Sequence, residues 1–256
     1  MEAQATMVKD TPNALVTGVS RGLGRHICQA LKASGYRVLG AGRTALPHND
    51  ALDDYRTIDL RQPMAVDPFA GEAVDLLVNN AGVYLDDPRR SYGDFFSLSP
   101  DDLRDTFEVN LFGAVQLARA LAPSMIARGF GRIVCISSGM GRLQDADGAS
   151  FAYRSSKLAL NSLVLTLAHH FAAAPGDLSA FSYCPGWIRT DMGTDSAPRG
   201  PGPAAMDLVR LLEEPSAQTN GVFFRGRDEL GWDVRGPFVT DRSGPARRTE
   251  PEARAP

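Results

Sequence analysis

Cysteine is scarce in this chain, charge of one sign is not in excess, and no long apolar run appears. Each absence narrows what the protein does. The three cysteines, Cys28, Cys135 and Cys184, are odd in number, far apart and set among apolar neighbours, which fits reduced buried thiols and not a disulfide framework. Lys plus Arg number 27 against 30 Asp plus Glu, a net charge of −3. That leaves no basic stripe to follow a nucleic-acid backbone and no polybasic segment to hold anionic lipid. No stretch reaches the about 18 uninterrupted apolar residues of a membrane span. Met1 to Pro12 is polar, with Glu2 ahead of any base, unlike a secretory signal. A cytoplasmic location is the expectation from these absences. His26, His48, His169 and His170 fall into no metal-ligand spacing and no serine stands in a nucleophile elbow, so neither a bound metal nor acyl transfer is expected.

What is present suits one soluble core: 256 residues, 43% apolar and 22% charged, within the length that a single α/β domain absorbs. From Asn13, the β-branched run Ala14-Leu15-Val16-Thr17 leads through a glycine cluster into the helical pattern Leu23, Ile27, Ala30, Leu31. Further strands are expected at Tyr36 to Ala41, Tyr55 to Ile58, Val74 to Val78, Arg132 to Ile136, Leu178 to Tyr183 and Gly221 to Phe224. Between them lie a long helix over Asp101 to Arg128, kinked or interrupted at Pro123, another over Phe151 to Ala174, and a short one over Ala204 to Glu213. The alternation predicts an α/β fold, a doubly wound and mostly parallel sheet with helices on both faces. Residues 1–240 form one domain in this reading. The glycine- and proline-dense segment 191–203 is a candidate lid, and 241–256 a mixed-charge tail without fixed structure.

Thr17-Gly18-Val19-Ser20-Arg21-Gly22-Leu23-Gly24 lies between the first strand and first helix, where backbone amides and the positive helix end can hold a pyrophosphate. Downstream stand Asn79-Asn80-Ala81-Gly82, Tyr153-Arg154-Ser155-Ser156-Lys157 and Pro185-Gly186. Together, in this order, the four motifs resemble the short-chain dehydrogenase/reductase family from Asn13 to Thr190, and more loosely to about Trp232. The phrases Ile136 to Gly141 and Pro185 to Met192 resemble its C-factor-like carbonyl reductase branch.

The resemblance implies a Rossmann-type domain that binds a nicotinamide dinucleotide. By it, Gly18, Ser20, Arg21, Gly22, Leu23 and Gly24 take the pyrophosphate, Asp59 and Leu60 support the adenine, and Asn80, Ala81, Gly82, Pro185, Gly186, Ile188 and Thr190 complete the cofactor site. The residue closing the second strand chooses between the two dinucleotides. An acid there would bind the ribose 2′-hydroxyl, whereas Arg43, with Arg21 nearby, offers permanently charged donors to a 2′-phosphate. NADP(H) is favoured over NAD(H).

Tyr153 and Lys157 stand four apart in a helical segment and so share one face. The family's chemistry makes Tyr153 the general acid/base and Lys157 its partner, which also holds the nicotinamide ribose. A phenol with a reference pKa near about 10 needs help to act at neutral pH, and a lysine ammonium and the oxidised nicotinamide both favour phenolate. Ser138 matches the family's donor to the substrate oxygen, with Ser137 as its neighbouring rival, and Asn110 matches the helix asparagine that distorts its helix and anchors a water leading from the lysine. The implied reaction is hydride transfer between the nicotinamide and a small carbonyl or alcohol, with no metal. A non-catalytic dinucleotide-binding regulator is the alternative. Tyr84, Tyr92, Phe95, Phe96, Met140, Leu143 and Trp187 are candidates for a substrate wall, and a homodimer or homotetramer is expected through Leu117, Ala118, Leu121, Leu160, Leu163 and Leu167 on the long helices.

Overall fold

A computed structural model describes residues 11–46, 49–62, 69, 72–90, 95–143 and 148–232. His48, Tyr92 and the tail 241–256 lie outside the described residues. The strands are β1 (Asn13–Thr17), β2 (Arg37–Gly42), β3 (Asp54–Thr57), β4 (Leu76–Asn79), β5 (Phe130–Ile136), β6 (Asp177–Cys184), β7 (Phe223–Arg225) and β8 (Asp228–Glu229). They form one sheet in the order β3-β2-β1-β4-β5-β6-β7-β8. Every neighbouring pair is parallel except β7 with β8. The chain runs outward from β1 to β3, then returns to place β4 on the other side of β1. That reversal opens a crevice at the carboxyl ends of β1 and β4, where ligands of such sheets bind.

Helices α1 (Gly22–Ala33), α2 (Pro100–Phe107), α3 (Gly113–Arg128), α4 (Phe151–Ala173), α5 (Pro201–Leu212) and α6 (Ser216–Thr219) complete the described secondary structure, with short 3-10 turns and one π turn. Strand residues alternate between two buried clusters. Ala14, Val16, Val134 and Ile136 pack with Ile27 of α1 and Leu208 of α5, while Leu15, Ile133 and Cys135 pack with Leu117 of α3 and Leu160 of α4. Strands apolar on both faces are what a sheet covered on both sides requires.

Four expectations need correction. The long helix is interrupted at a π turn over Glu108–Phe112, not at Pro123, and α3 runs through that proline. Pro123 and Arg119, whose carbonyl loses its helical partner, both face solvent, so water can replace the missing bond. Helix α5 begins at Pro201, three residues before the expected Ala204, because proline is pre-shaped for the first turn of a helix. The two-residue β8 has no periodicity to read. Finally, Leu117, Ala118, Leu121, Leu160 and Leu167 are buried within the subunit, where they seat α3 and α4 on the sheet and are not available to a second copy, while Leu163 packs partly against them and stays partly exposed. The continuous helical stretch Pro100–Arg128 is long and apolar enough to cross a membrane by length and composition; Leu117, Leu121 and Met125 use that apolarity in the core.

Candidate active site

The crevice beside β1 opens as a cleft of about 870 Å³. Its floor depends on glycine. Gly18 has a φ of +71°, and a β carbon there would stand 2.8 Å from the α carbon of Ala81; one on Gly24 would collide with the Gly18 carbonyl. Side chains are thus excluded where the backbone of the loop approaches α1, and α1 itself starts without a side-chain cap. First-turn N–H groups without partners and a cradle that any β carbon would fill fit a pyrophosphate. Thr17 builds the wall opposite: its hydroxyl accepts the N–H groups of Asn80 (3.0 Å) and Ala81 (2.9 Å). Asn80 Nδ2 answers by donating to the carbonyls of Thr17 (2.8 Å) and Gly18 (3.1 Å). Asn80 therefore splices β1 to β4, a role that its motif alone does not reveal.

Ser20, Gly22, Leu23, Arg43, Asp59, Leu60, Gly82, Pro185, Gly186, Ile188 and Thr190 all line the same cleft. Arg21 lines it too, but its Nε meets Asp191 Oδ2 at 3.1 Å. Arg43 is left, at the end of β2, with no hydrogen-bonded partner among the described residues. Asp59 is gripped by Arg61, whose Nη2 lies 2.7 Å from Oδ2 and whose backbone N–H donates to Oδ1. That grip holds the Asp59 carboxyl below its ordinary range.

At the far end of the cleft, Tyr153 is buried in the first turn of α4, and Ser138 lines the same end. Ser138 accepts the Met140 N–H at 3.1 Å. Ser137 is buried, and its hydroxyl has no partner. Lys157 Nζ donates to the Ile136 carbonyl at 2.8 Å and sits 5.6 Å from the centre of the Tyr153 ring. Asn110 stands in the π turn, its Oδ1 accepting the Val83 N–H (2.8 Å) and its Nδ2 donating to the Val83 carbonyl and to Ser156 Oγ (3.0 Å each). A β carbon on Gly82 would lie 3.3 Å from Asn110 Oδ1 and 3.5 Å from Lys157 Nζ, so glycine keeps a slot between them.

Burial raises the Tyr153 phenol above its ordinary value and brings the Lys157 ammonium down to about 8. A raised phenol pKa favours the protonated form, the form a proton donor needs.

Asp86, which sequence reasoning missed, and Tyr84, named there as a candidate for the substrate wall and now found lining the cleft, hold Tyr153 in place. Asp86, itself buried, accepts the backbone N–H groups of Ala152 (2.7 Å) and Tyr153 (3.2 Å), while Ser150, at a φ of 59°, caps nothing with its side chain. A carboxylate from a distant loop thus satisfies the start of α4 and favours the positive helix end. Tyr84 stacks on Tyr153 at 4.3 Å between ring centres, its hydroxyl 2.5 Å from Ser150 Oγ. No spacing in the sequence signals contacts across such separations.

A family profile described as short chain dehydrogenase matches residues 12–199. Acetoacetyl-CoA reductase of Rhizobium meliloti is 36% identical over 244 residues, covering 90% of this chain and 97% of its own. The 3-oxoacyl-(acyl-carrier-protein) reductase FabG of Salmonella typhimurium is 32% identical over 194 residues, 70% of this chain and 74% of its own. Among solved structures, a short-chain dehydrogenase/reductase protein of Burkholderia multivorans with bound NADP superposes with a TM-score of 0.72 at 26% identity, covering 87% of this chain and 100% of that one. Carbonyl reductase Sniffer of D. melanogaster shares the fold, with a TM-score of 0.73 at 24% identity over 87% of this chain and 100% of its own.

Proposed function

The chain belongs to the short-chain dehydrogenase/reductase family, and from that membership we propose that it is an NADP(H)-dependent reductase of small carbonyl compounds, working through Tyr153, Ser138, Lys157 and Asn110. The observation that carries the reading is that Tyr153, Ser138 and Lys157 line the same cleft as the glycine cradle, with Tyr153 buried and Lys157 Nζ 5.6 Å from its ring centre. NADPH, when bound, supplies the hydride that adds to the carbonyl carbon. Tyr153 donates its phenolic proton to the carbonyl oxygen, and the Ser138 hydroxyl donates a hydrogen bond to that oxygen as negative charge develops. Lys157 and Asn110, on either side of the Gly82 slot, give the tyrosine a polar path along which its proton is replaced. Arg43, unpaired at the end of β2, suits a 2′-phosphate.

A non-catalytic regulator would have no use for this arrangement. The 3-oxoacyl thioesters named by two relatives belong in the first substrate panel, beside ketones, aldehydes and quinones. The test is NADPH consumption across that panel with Tyr153→Phe as the control. The variant should fold and bind NADPH normally and lose at least ~10²-fold in turnover; near-normal turnover would refute the mechanism.

A cytoplasmic setting belongs to the same reading, supported by three buried, unpaired thiols. So does self-association. With the expected leucines of α3 and α4, Leu163 apart, committed to the core, its support moves to Phe112 and Phe151, 44% and 46% exposed near the N-terminal ends of those helices, and light scattering at micromolar concentration tests it.

A further inference from the structure

Six cationic side chains line the cleft, Arg21, Arg43, Arg61, Arg89, Lys157 and Arg225, against two carboxylates, Asp59 and Asp191. Most of them are accounted for. Arg21 pairs with Asp191, Arg61 with Asp59, and Arg89 with Asp87 at 2.7 Å. Lys157 serves the tyrosine, and Arg43 waits at the cofactor end of the cleft. Arg225 remains. Among the described residues its guanidinium has no hydrogen-bond or ion-pair partner.

Its position is built. Arg225 closes β7, its backbone in register with Cys184 of β6, and the next residue, Gly226, turns back at a φ of 60° and donates to the Cys184 carbonyl at 3.2 Å. The guanidinium lies so close to Gly139 that a β carbon at that position would push it aside. Gly139 directly follows Ser138, so the free guanidinium stands in the same end of the cleft as Ser138 and Tyr153. A guanidinium is permanently charged, and its planar fork matches a carboxylate with two parallel hydrogen bonds. Arg199, beside Gly226, is committed to Asp207, so Arg225 offers a single uncommitted charge, which suits one carboxylate better than a phosphate dianion.

We propose that Arg225 is a specificity-determining residue that receives the carboxylate of the substrate, so that the preferred carbonyl compounds are small oxo acids. This rests on the reductase reading and names the substrate class of the same site. The strength expected is that of a partly solvated, charge-assisted pair: at least about tenfold in kcat/KM, or about 1.4 kcal/mol.

The experiment compares oxo acids of graded length (2-oxobutanoate, 4-oxopentanoate, 5-oxohexanoate) with their methyl esters as substrates for NADPH oxidation by the wild type, Arg225→Gln and Arg225→Lys. The wild type should favour at least one acid over its ester. Arg225→Gln should abolish that preference by raising KM for the acid alone, Arg225→Lys should retain part of it, and added salt should weaken the acid and spare the ester. An ester turned over as well as every acid by the wild type, or an acid preference that survives Arg225→Gln, overturns the proposal while leaving the reductase reading intact. If none of these compounds is reduced, calorimetric binding of the acids to the protein with NADP+ decides: binding lost in Arg225→Gln supports the assignment, and absent or unchanged binding overturns it. The reductase reading fails on its own measurement, when no neutral carbonyl compound is reduced in a Tyr153-dependent way.

Discussion

Lys157 is buried with its ammonium donating to one carbonyl, and burial brings its pKa from an ordinary 10.5 to about 8. The fold therefore penalises the charged form, on the order of 3 kcal/mol for a shift of this size. Because the folded value is the lower one, the penalty is complete below about pH 8 and is relieved as pH rises towards 10.5. Wild type should be less stable than Lys157→Met at pH 7, and the gap should narrow by pH 10. Urea midpoints at the two pH values measure it, and a gap independent of pH would show that Lys157 is not held against its charge. Much of this centre was legible in the residues themselves. Tyr153 and Lys157 lie on one helix and line the cleft together, and both Ser137 and Ser138 line it too. Asp86 and the stacking of Tyr84 on Tyr153 were not legible, because both depend on where a distant loop crosses the start of α4.

Segment 191–203 is held more firmly than a glycine- and proline-rich stretch suggests. Asp191 meets Arg21, the Met192 carbonyl accepts Arg89 Nη2 at 2.8 Å, the Gly193 carbonyl accepts the Trp187 indole, and Arg189 donates to the carbonyls of Ala197 and Arg199. Exposed ion pairs such as the first contribute little, so the segment is expected to open locally and to be fastened by ligand. With NADP+ and an unreactive substrate analogue at saturation, amide exchange should slow there specifically; unchanged exchange would make it an ordinary surface loop. The strands were readable because apolar runs bounded by glycine leave few alternatives. The π turn was not: residues 101–128 keep an unbroken helical pattern, and the single extra residue that bends it serves Asn110 and leaves no trace in periodicity.

The sheet as a whole separates the ends of the cleft, with Arg43 after β2 on one side of the glycine cradle and Arg225 at the end of β7 on the other. NADPH should bind at least tenfold more tightly than NADH, about 1.4 kcal/mol, and Arg43→Ala should erase most of the difference. Fluorescence titration of both cofactors checks this, and equal affinities in the wild type would remove Arg43 from the phosphate site.

The three thiols also report on the entire molecule. They sit on α1, β5 and β6, none is more than 3% exposed, and burial pushes Cys28 and Cys135 up to about 12. A thiolate is the form that alkylating reagents attack, so the native protein should withstand iodoacetamide and air without a reductant. Cys184 is the exception in placement, since it lines the cleft, and its labelling should slow when NADP+ is added. Cys28 and Cys135 lie beneath opposite faces of the sheet and become reactive only when the layers part. Their modification rates, followed by mass spectrometry on undenatured protein, form two internal clocks. Equal rates would mean that both halves of the core come apart in one event, and unequal rates would identify the face that opens first.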